Sequence, residues 1–221
     1  MLELSAQKPE VSVLMTTYNR TALLPRSLGS LFEQQGVSFE LIVLDDGSTD
    51  ETFSVVAGYL QKHPDKVRYT KHSNRKPPLS LNAGIALAQG QYITFLDSDD
   101  EYLANHLALR LQFMQANPAL DLIYGGLDIV GNAFVPDKDD PTKQVHLGEC
   151  VTCGTLFGKR EVFWALGGFQ NLPYASDADF VSRAITHPFQ VGLVHYPTYR
   201  YYRDTPDGIC NTLEASQKAA N

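Results

Sequence analysis

The chain has 221 residues, of which 43% are hydrophobic, and a formal net charge of −7. That size suits one large α/β domain or two small ones, and that apolar fraction excludes a disordered chain. The acidic balance argues against a protein that coats nucleic acid through a basic face, and no apolar run approaches the roughly 18 residues of a membrane span. The N-terminus, Met1 to Lys8, lacks a signal-peptide core. The expectation is a cytoplasmic protein, with peripheral contact at the inner face of a membrane left open. Cys150, Cys153 and Cys210 are an odd set, which fits reduced thiols. Cys150-Val-Thr-Cys153 is a lone CxxC with neither the further ligands of a structural zinc site nor a thioredoxin-like context.

In chain order, Val11 to Met15 reads as a strand and Thr16 to Arg20 as a polar loop. Thr21 is placed to cap a helix to about Gln35, with Leu23, Leu24, Leu28, Leu31 and Phe32 on one face. Phe39 to Leu44 is a second strand, and Asp45 to Asp50 is its polar end. A helix from about Glu51 to Lys62 and a short strand, Val67 to Thr70, follow. Pro77-Pro78 breaks the chain before a helix from about Ser80 to Gln89. Tyr92 to Leu96 is a buried strand, and a helix runs from about Leu103 to Gln115. Such alternation predicts a mostly parallel, Rossmann-like sheet in right-handed βαβ units, with helices on both faces.

The second half is less regular. Leu120 to Tyr124 reads as a strand, and Val130 to Lys143 as an exposed excursion rich in Asp, Pro and Gly. Val151 to Gly158 is expected to return to the sheet. Lys159 to Leu166 and Asp177 to Ile185 read as helices, and Val191 to Val194 and Tyr199 to Tyr202 as β-prone. No repeat or linker divides the chain, so a single domain is predicted.

Chemistry concentrates where strands end. Asp97, Asp99 and Asp100 follow the apolar strand directly. At an effective dielectric of about 20, like charges about 4 Å apart cost roughly 4 kcal/mol. No Lys or Arg lies within several residues in sequence, which favours a bound cation over a basic partner. Oxygen-only ligands suit Mg²⁺ or Mn²⁺, with a diphosphate as co-ligand. A solvated turn capping the next helix is the plainer alternative. Three polar strand ends, Thr16 to Arg20, Asp45 to Asp50 and Asp97 to Asp100, are expected to converge on one crevice beyond the carboxyl edge of the sheet.

Four segments carry a resemblance to a known family. They are Val11-Ser-Val-Leu-Met-Thr-Thr-Tyr-Asn-Arg20, Glu40-Leu-Ile-Val-Leu-Asp-Asp-Gly-Ser-Thr-Asp50, Leu81 to Asp100 with its Asn-Ala-Gly and Asp-Ser-Asp-Asp pieces, and Gly167-Gly-Phe followed by Asp177-Ala-Asp-Phe. In this order and spacing, from about Val11 to about Arg203, they resemble family 2 glycosyltransferases of the GT-A fold. The resemblance implies a metal-dependent, inverting, non-processive transferase that uses Mn²⁺ or Mg²⁺. The donor is a nucleotide-diphospho-sugar, and the acceptor a glycan, a lipid-linked glycan or a protein. It implies a nucleotide-binding half over about residues 1–100 and an acceptor-binding half over about 101–221.

By that resemblance Thr16 and Tyr18 line the nucleobase and ribose. Asp46 receives the base or ribose by a hydrogen bond. Arg75 contacts the nucleotide, Asp97 lies nearer the ribose, Asp99 reaches the metal, and Asp177 is the catalytic base. Plainer roles exist: a turn for Asp46, a helix cap for Asp177, a solvated loop for Arg75, and strand packing for Tyr196, Tyr199, Tyr201 and Tyr202. Ser176-Asp177 departs from the family's Glu-Asp and makes Asp179 a rival base. The family's Gln-Arg-Arg-Trp motif is missing, and Arg200 and Arg203 are candidates to neutralise a diphosphate. The rival functions are a sugar nucleotidyltransferase and a non-catalytic nucleotide-sugar-binding module.

Overall fold

The computed structural model describes residues 8–140, 142–205 and 208–220; residues 1–7, most of the N-terminal stretch read as lacking a signal-peptide core, lie outside them. The first half alternates as expected: β1 (Val11–Thr17), α1 (Leu24–Phe32), β2 (Phe39–Asp45), α2 (Thr52–Lys62), β3 (Val67–Lys71), α3 (Pro77–Leu87) and β4 (Tyr92–Phe95). The second half brings β5 (Glu101–Tyr102), α4 (His106–Ala116), β6 (Leu122–Tyr124), β7 (Leu127–Val130), β8 (Phe134–Pro136) and β9 (Gln144–His146). After these come β10 (Phe157–Lys159), α5 (Arg160–Ala165), α6 (Ser176–Thr186), β11 (Val191–Leu193), β12 (Tyr199–Tyr202) and α7 (Ile209–Ala220).

The central sheet has seven strands in the order β11-β6-β10-β4-β1-β2-β3. All its pairings are parallel except those of β10, which runs antiparallel between β4 and β6. A smaller sheet, β5-β12-β7, and the β8–β9 hairpin complete it. The side-chain period of two sorts the core onto both faces. Val11, Val13 and Met15 of β1, with Leu41 and Val43 of β2, pack with α1, α2 and α4. Leu14, Ile42 and Leu44 face the other way, against α3, α5 and α6. This is the mostly parallel α/β architecture that the alternation predicts.

Element starts differ from expectation for local reasons. Thr21 does not cap α1; its N–H and hydroxyl both donate to Asp50 Oδ2, at 3.1 and 2.6 Å, and the helix begins three residues later. Pro77 and Pro78 begin α3 instead of breaking the chain ahead of it, since a first helical turn needs no N–H donors from them. Glu101 and Tyr102 form a strand beside β12, which delays α4 to His106. The excursion after Val130 contains the β8–β9 hairpin, and α7 was not anticipated.

A buried polar knot ties the parallel core. Glu40 Oε1 accepts from Ser12 Oγ (2.6 Å) and Gln89 N–H (2.7 Å), while Arg68 pairs with Oε2. Ser12 Oγ accepts in turn from Gly90 N–H at 2.8 Å. One carboxylate thus joins β1, β2, β3 and the entry to β4. Glu40→Ala leaves these buried donors unpaired and is expected to lower stability by on the order of 2 kcal/mol in urea unfolding. An unchanged midpoint would contradict that role.

Candidate functional site

Register sets the site. Thr17 of β1 lies opposite Asp45 of β2, so the loops after both strands leave the sheet at one level. They are laced together: Asn19 N–H donates to Ser48 Oγ (2.9 Å), and Asn19 Oδ1 accepts Thr49 N–H (2.8 Å). The third loop, after β4, lies beside them because β4 pairs with β1. Together they line a cleft of about 440 Å³ that includes Thr16, Tyr18, Arg20, Asp46, Asp97 and Asp99. The three polar strand ends therefore converge as predicted. A larger cleft of about 960 Å³ adjoins it and includes Asp177; Asp97 and Lys76 line both.

The aspartates at the end of β4 have distinct surroundings. Asp100 is buried and bonded at both oxygens: Tyr199 donates its hydroxyl to Oδ2 (2.8 Å) and Tyr202 its N–H to Oδ1 (2.8 Å). The Tyr199 hydroxyl oxygen accepts Asp97 N–H at 3.2 Å. Burial, then Asp97 and Asp99, hold the Asp100 carboxyl well above the usual carboxylate range. Burial first and Asp99 second push Asp97 up to about 7, against the hydrogen bond from Tyr199. Asp99 keeps its carboxylate in the smaller cleft, with the Arg20 guanidinium 4.0 Å away. Arg26 donates to the Asp99 carbonyl and stacks 3.6 Å from the Tyr202 ring centroid. The fold thus supplies in space the basic partners that the local sequence lacks.

A divalent cation fits this arrangement. Among the described residues no three His, Cys, Asp or Glu gather as a complete cage. Mg²⁺-like ions need only one or two carboxylates when phosphate oxygens and water complete the shell. Asp99, open to the cleft and crowded by two other carboxylates, has the placement that such a ligand would need. The like-charge burden on Asp97 and Asp100 is the strain that a cation would relieve.

Asp46 is deep and fully engaged. It accepts from Arg75 N–H (2.8 Å), Lys76 N–H (3.0 Å) and Ser80 Oγ (3.0 Å), with His72 Nδ1 at 3.3 Å. These bonds hold Lys76 at φ 74°, a left-handed conformation unusual for a side-chain-bearing residue. The Arg75 side chain is exposed and lines neither cleft, so it is not brought to the site; Lys76 is. Asp177 is in the first turn of α6, after Ala175 at φ 55°. Its carboxylate accepts Cys153 N–H and Ala178 N–H, each at 2.9 Å. Burial outweighs those bonds and lifts its pKa to about 6. Asp179, its sequence rival, is paired with Arg183 at 2.8 Å and lines neither cleft.

Arg200 is also removed from the diphosphate role. It bridges Asp128 (2.6 Å) and Glu101 (3.0 Å) on the smaller sheet, whereas Arg203 lines the smaller cleft. Cys150 and Cys153 are free, half-buried thiols on the wall of the larger cleft. Sequence reasoning missed Tyr199, which was assigned to strand packing. Its ring does pack, yet its hydroxyl reaches two aspartates about a hundred residues earlier. Alternation along β12 could have placed Tyr199 and Tyr201 on one face, but no local signal gave their partners. Arg26 was missed for the same reason, whereas Arg20 ends the first of the three polar loops expected at the crevice.

Among the described residues no helix is long and apolar enough to cross a membrane. The sequence model "Glycosyl transferase family 2" matches residues 12–165. A Campylobacter jejuni relative, a GalNAc(5)-diNAcBac-PP-undecaprenol beta-1,3-glucosyltransferase, is 39% identical over 138 residues, covering 62% of this chain and 42% of its own length. A PGL/p-HBAD biosynthesis glycosyltransferase of Mycobacterium bovis is 27% identical over 208 residues, covering 93% of this chain and 80% of its own. Among solved structures, S. aureus TarS 1-349 in complex with UDP-GlcNAc is similar with a TM-score of 0.73 at 21% identity, over 90% of this chain and 60% of that one. Mannosyltransferase PcManGT from Pyrobaculum calidifontis, in complex with GDP-Man and Mn²⁺, has a TM-score of 0.73 at 19% identity, over 98% of this chain and 66% of that one. These two likenesses show a shared fold. Since the family model spans 12–165, more than half of the sequence, the chain belongs to glycosyl transferase family 2.

Proposed function

We propose that this chain transfers a single sugar from a nucleotide-diphospho-sugar to an acceptor hydroxyl, with inversion and with the help of Mn²⁺ or Mg²⁺. The observation that carries the proposal is the shared wall: Asp97 lines both clefts, Asp99 lies in the smaller, and Asp177 lies in the larger. The nucleotide occupies the smaller cleft, against Thr16 and Tyr18. Asp97 lies toward the ribose. Asp46 shapes the pocket floor by holding the 75–76 turn, and Lys76 takes the cationic contact first assigned to Arg75. In this reading residues 1–100 supply the donor half and 101–221 the acceptor half.

When bound, the cation would draw off charge from the departing diphosphate as a Lewis acid, with Asp99 as its protein ligand. Asp177 takes the proton of the acceptor hydroxyl across the shared wall. A carboxyl lifted to about 6 is a stronger base than a free aspartate and is still largely ionised at neutral pH. Asp137 and Glu149 also line the larger cleft, but neither reaches the smaller one that holds Asp99, which favours direct displacement. Pro77, Pro78, Leu81, Val181, Leu172 and Ile185 give the larger cleft apolar walls. That surface, with the undecaprenol-linked acceptor named for the Campylobacter relative, favours a lipid-linked acceptor at a membrane face.

Asp99→Asn is expected to abolish the Mn²⁺-stimulated part of UDP or GDP binding, measured by titration calorimetry. Asp177→Asn is expected to keep that binding and to lower transfer by about 10²- to 10⁴-fold. Full transfer by Asp177→Asn would overturn the base assignment. Sugar-nucleotide hydrolysis equal with and without Mn²⁺ would contradict the cation's part, and none in either condition would favour a binding module.

The pH dependence has a definite sign. Asp177 is protonated more readily in the folded chain than in the unfolded one. The stability it contributes is full below the unfolded value of about 3.8 and is lost as pH rises through about 6. Metal-free protein should therefore lose on the order of 2 kcal/mol between these limits through this group, allowing for its partial exposure. Chemical denaturation across pH 4 to 7 should show a flatter profile for Asp177→Asn. Transfer should run the other way and fall as pH drops below about 6. Parallel stability profiles for the two proteins would contradict the assignment.

A further inference from the structure

The short turn Cys153–Thr155 touches both halves of the site, though none of its side chains is assigned a chemical role. Cys153 N–H donates to Asp177 Oδ2 at 2.9 Å. Gly154 lies against the Tyr199 ring so closely that a Cβ there would stand 2.0 Å from Cζ and 2.2 Å from the hydroxyl oxygen. The next residue anchors the turn: Thr155 Oγ1 donates to Thr152 O (2.8 Å) and accepts Gly125 N–H (3.1 Å). Tyr199, fully buried, presents its hydroxyl to Asp97 N–H and to the Asp100 carboxylate. Backbone on one side and a ring face on the other thus join the Asp177 carboxylate to the carboxylates after β4.

We propose that Gly154 and Tyr199 are positioning residues, and that the Cys153–Thr155 turn holds Asp177 and the Asp97–Asp100 carboxylates as one rigid unit. The catalytic meaning of this unit rests on the function proposed above; its mechanical meaning does not. Packing alone would need only an apolar ring at 199. The structure instead places a hydroxyl that accepts an amide of one aspartate and donates to the carboxylate of another. Packing alone would also accept a small side chain at 154, where the ring leaves room for none. Gly154 has ordinary backbone angles, so the reason for glycine there is the approach of Tyr199 and not a left-handed turn.

Two variants separate the hydroxyl from the contact. Tyr199→Phe keeps the ring against Gly154 and removes the donor and acceptor. Gly154→Ala keeps the hydroxyl and forces it out of place. Hydrogen exchange on the ligand-free protein reads the coupling directly. Tyr199→Phe should speed exchange about tenfold over 97–102, where Asp97 loses its acceptor, and leave 176–182 unchanged. Gly154→Ala should speed exchange in both segments together. Calorimetry of UDP with Mn²⁺ then reads the consequence, with about tenfold weaker Mn²⁺-dependent binding in each variant. The double variant should be no worse than Gly154→Ala alone, because toward Asp97 and Asp100 both changes act through one hydroxyl.

Wild-type exchange rates over 97–102 in Tyr199→Phe, or losses in the double variant that simply add, would overturn the coupling. If exchange responds as expected while the wild-type protein binds neither UDP nor GDP with Mn²⁺, the coupling stands and the donor reading fails.

Discussion

Three carboxylates within four residues at the end of one strand are the constraint around which the rest of the site is arranged. They cannot all be ionised, buried and unpartnered. The chain divides the problem. Asp100 is sealed inside and satisfied by Tyr199 and Tyr202 of a strand that begins about a hundred residues later. Asp97 is left half-open with a raised pKa, and Asp99 faces the cleft with Arg20 at a distance. The smaller sheet, β5-β12-β7, makes this division possible, since it delivers β12 across the end of β4. Arg200 of the central strand β12 bridges Glu101 of β5 and Asp128 of β7, which explains why that arginine is unavailable to a ligand.

Local strain gathers around the same place. Lys76 and Ala175 both sit at positive φ without being glycine. Each costs on the order of 1 kcal/mol or more and persists only where the surroundings enforce it. Asp46 enforces the first with two backbone hydrogen bonds, and the start of α6 enforces the second. Lys76 thereby enters both clefts, and Asp177 enters the larger one. The polar knot at Glu40 carries the opposite kind of task, holding the parallel strands in register so that their ends align.

Much of the fold was legible because periodicity is a local property. The run from β1 to β4 follows from apolar alternation and turn residues, and the convergence of three polar strand ends follows from parallel topology. The antiparallel insertion of β10 between β4 and β6 was not legible, because Phe157 to Lys159 is too short to carry a pattern. The short strand β5 and helix α7 escaped for similar reasons. In the site, residues next to a strand end were found, while those arriving from elsewhere were not. Tyr199 and Arg26 have unremarkable neighbours in sequence and acquire their roles only across the sheet. Arg75 is the reverse case: the family resemblance implied a nucleotide contact, but the backbone of that residue, and not its guanidinium, is what the fold employs.

Asp97, Asp99 and Asp177 form one site only if they share one sugar-nucleotide donor. Crystals soaked with Mn²⁺ and UDP or GDP, measured at the manganese absorption edge, test this most directly. One anomalous peak is expected between the Asp99 carboxylate and the diphosphate, in the smaller cleft and on the side facing Asp177. A nucleotide bound elsewhere, or bound there with no metal peak beside Asp99, would contradict it.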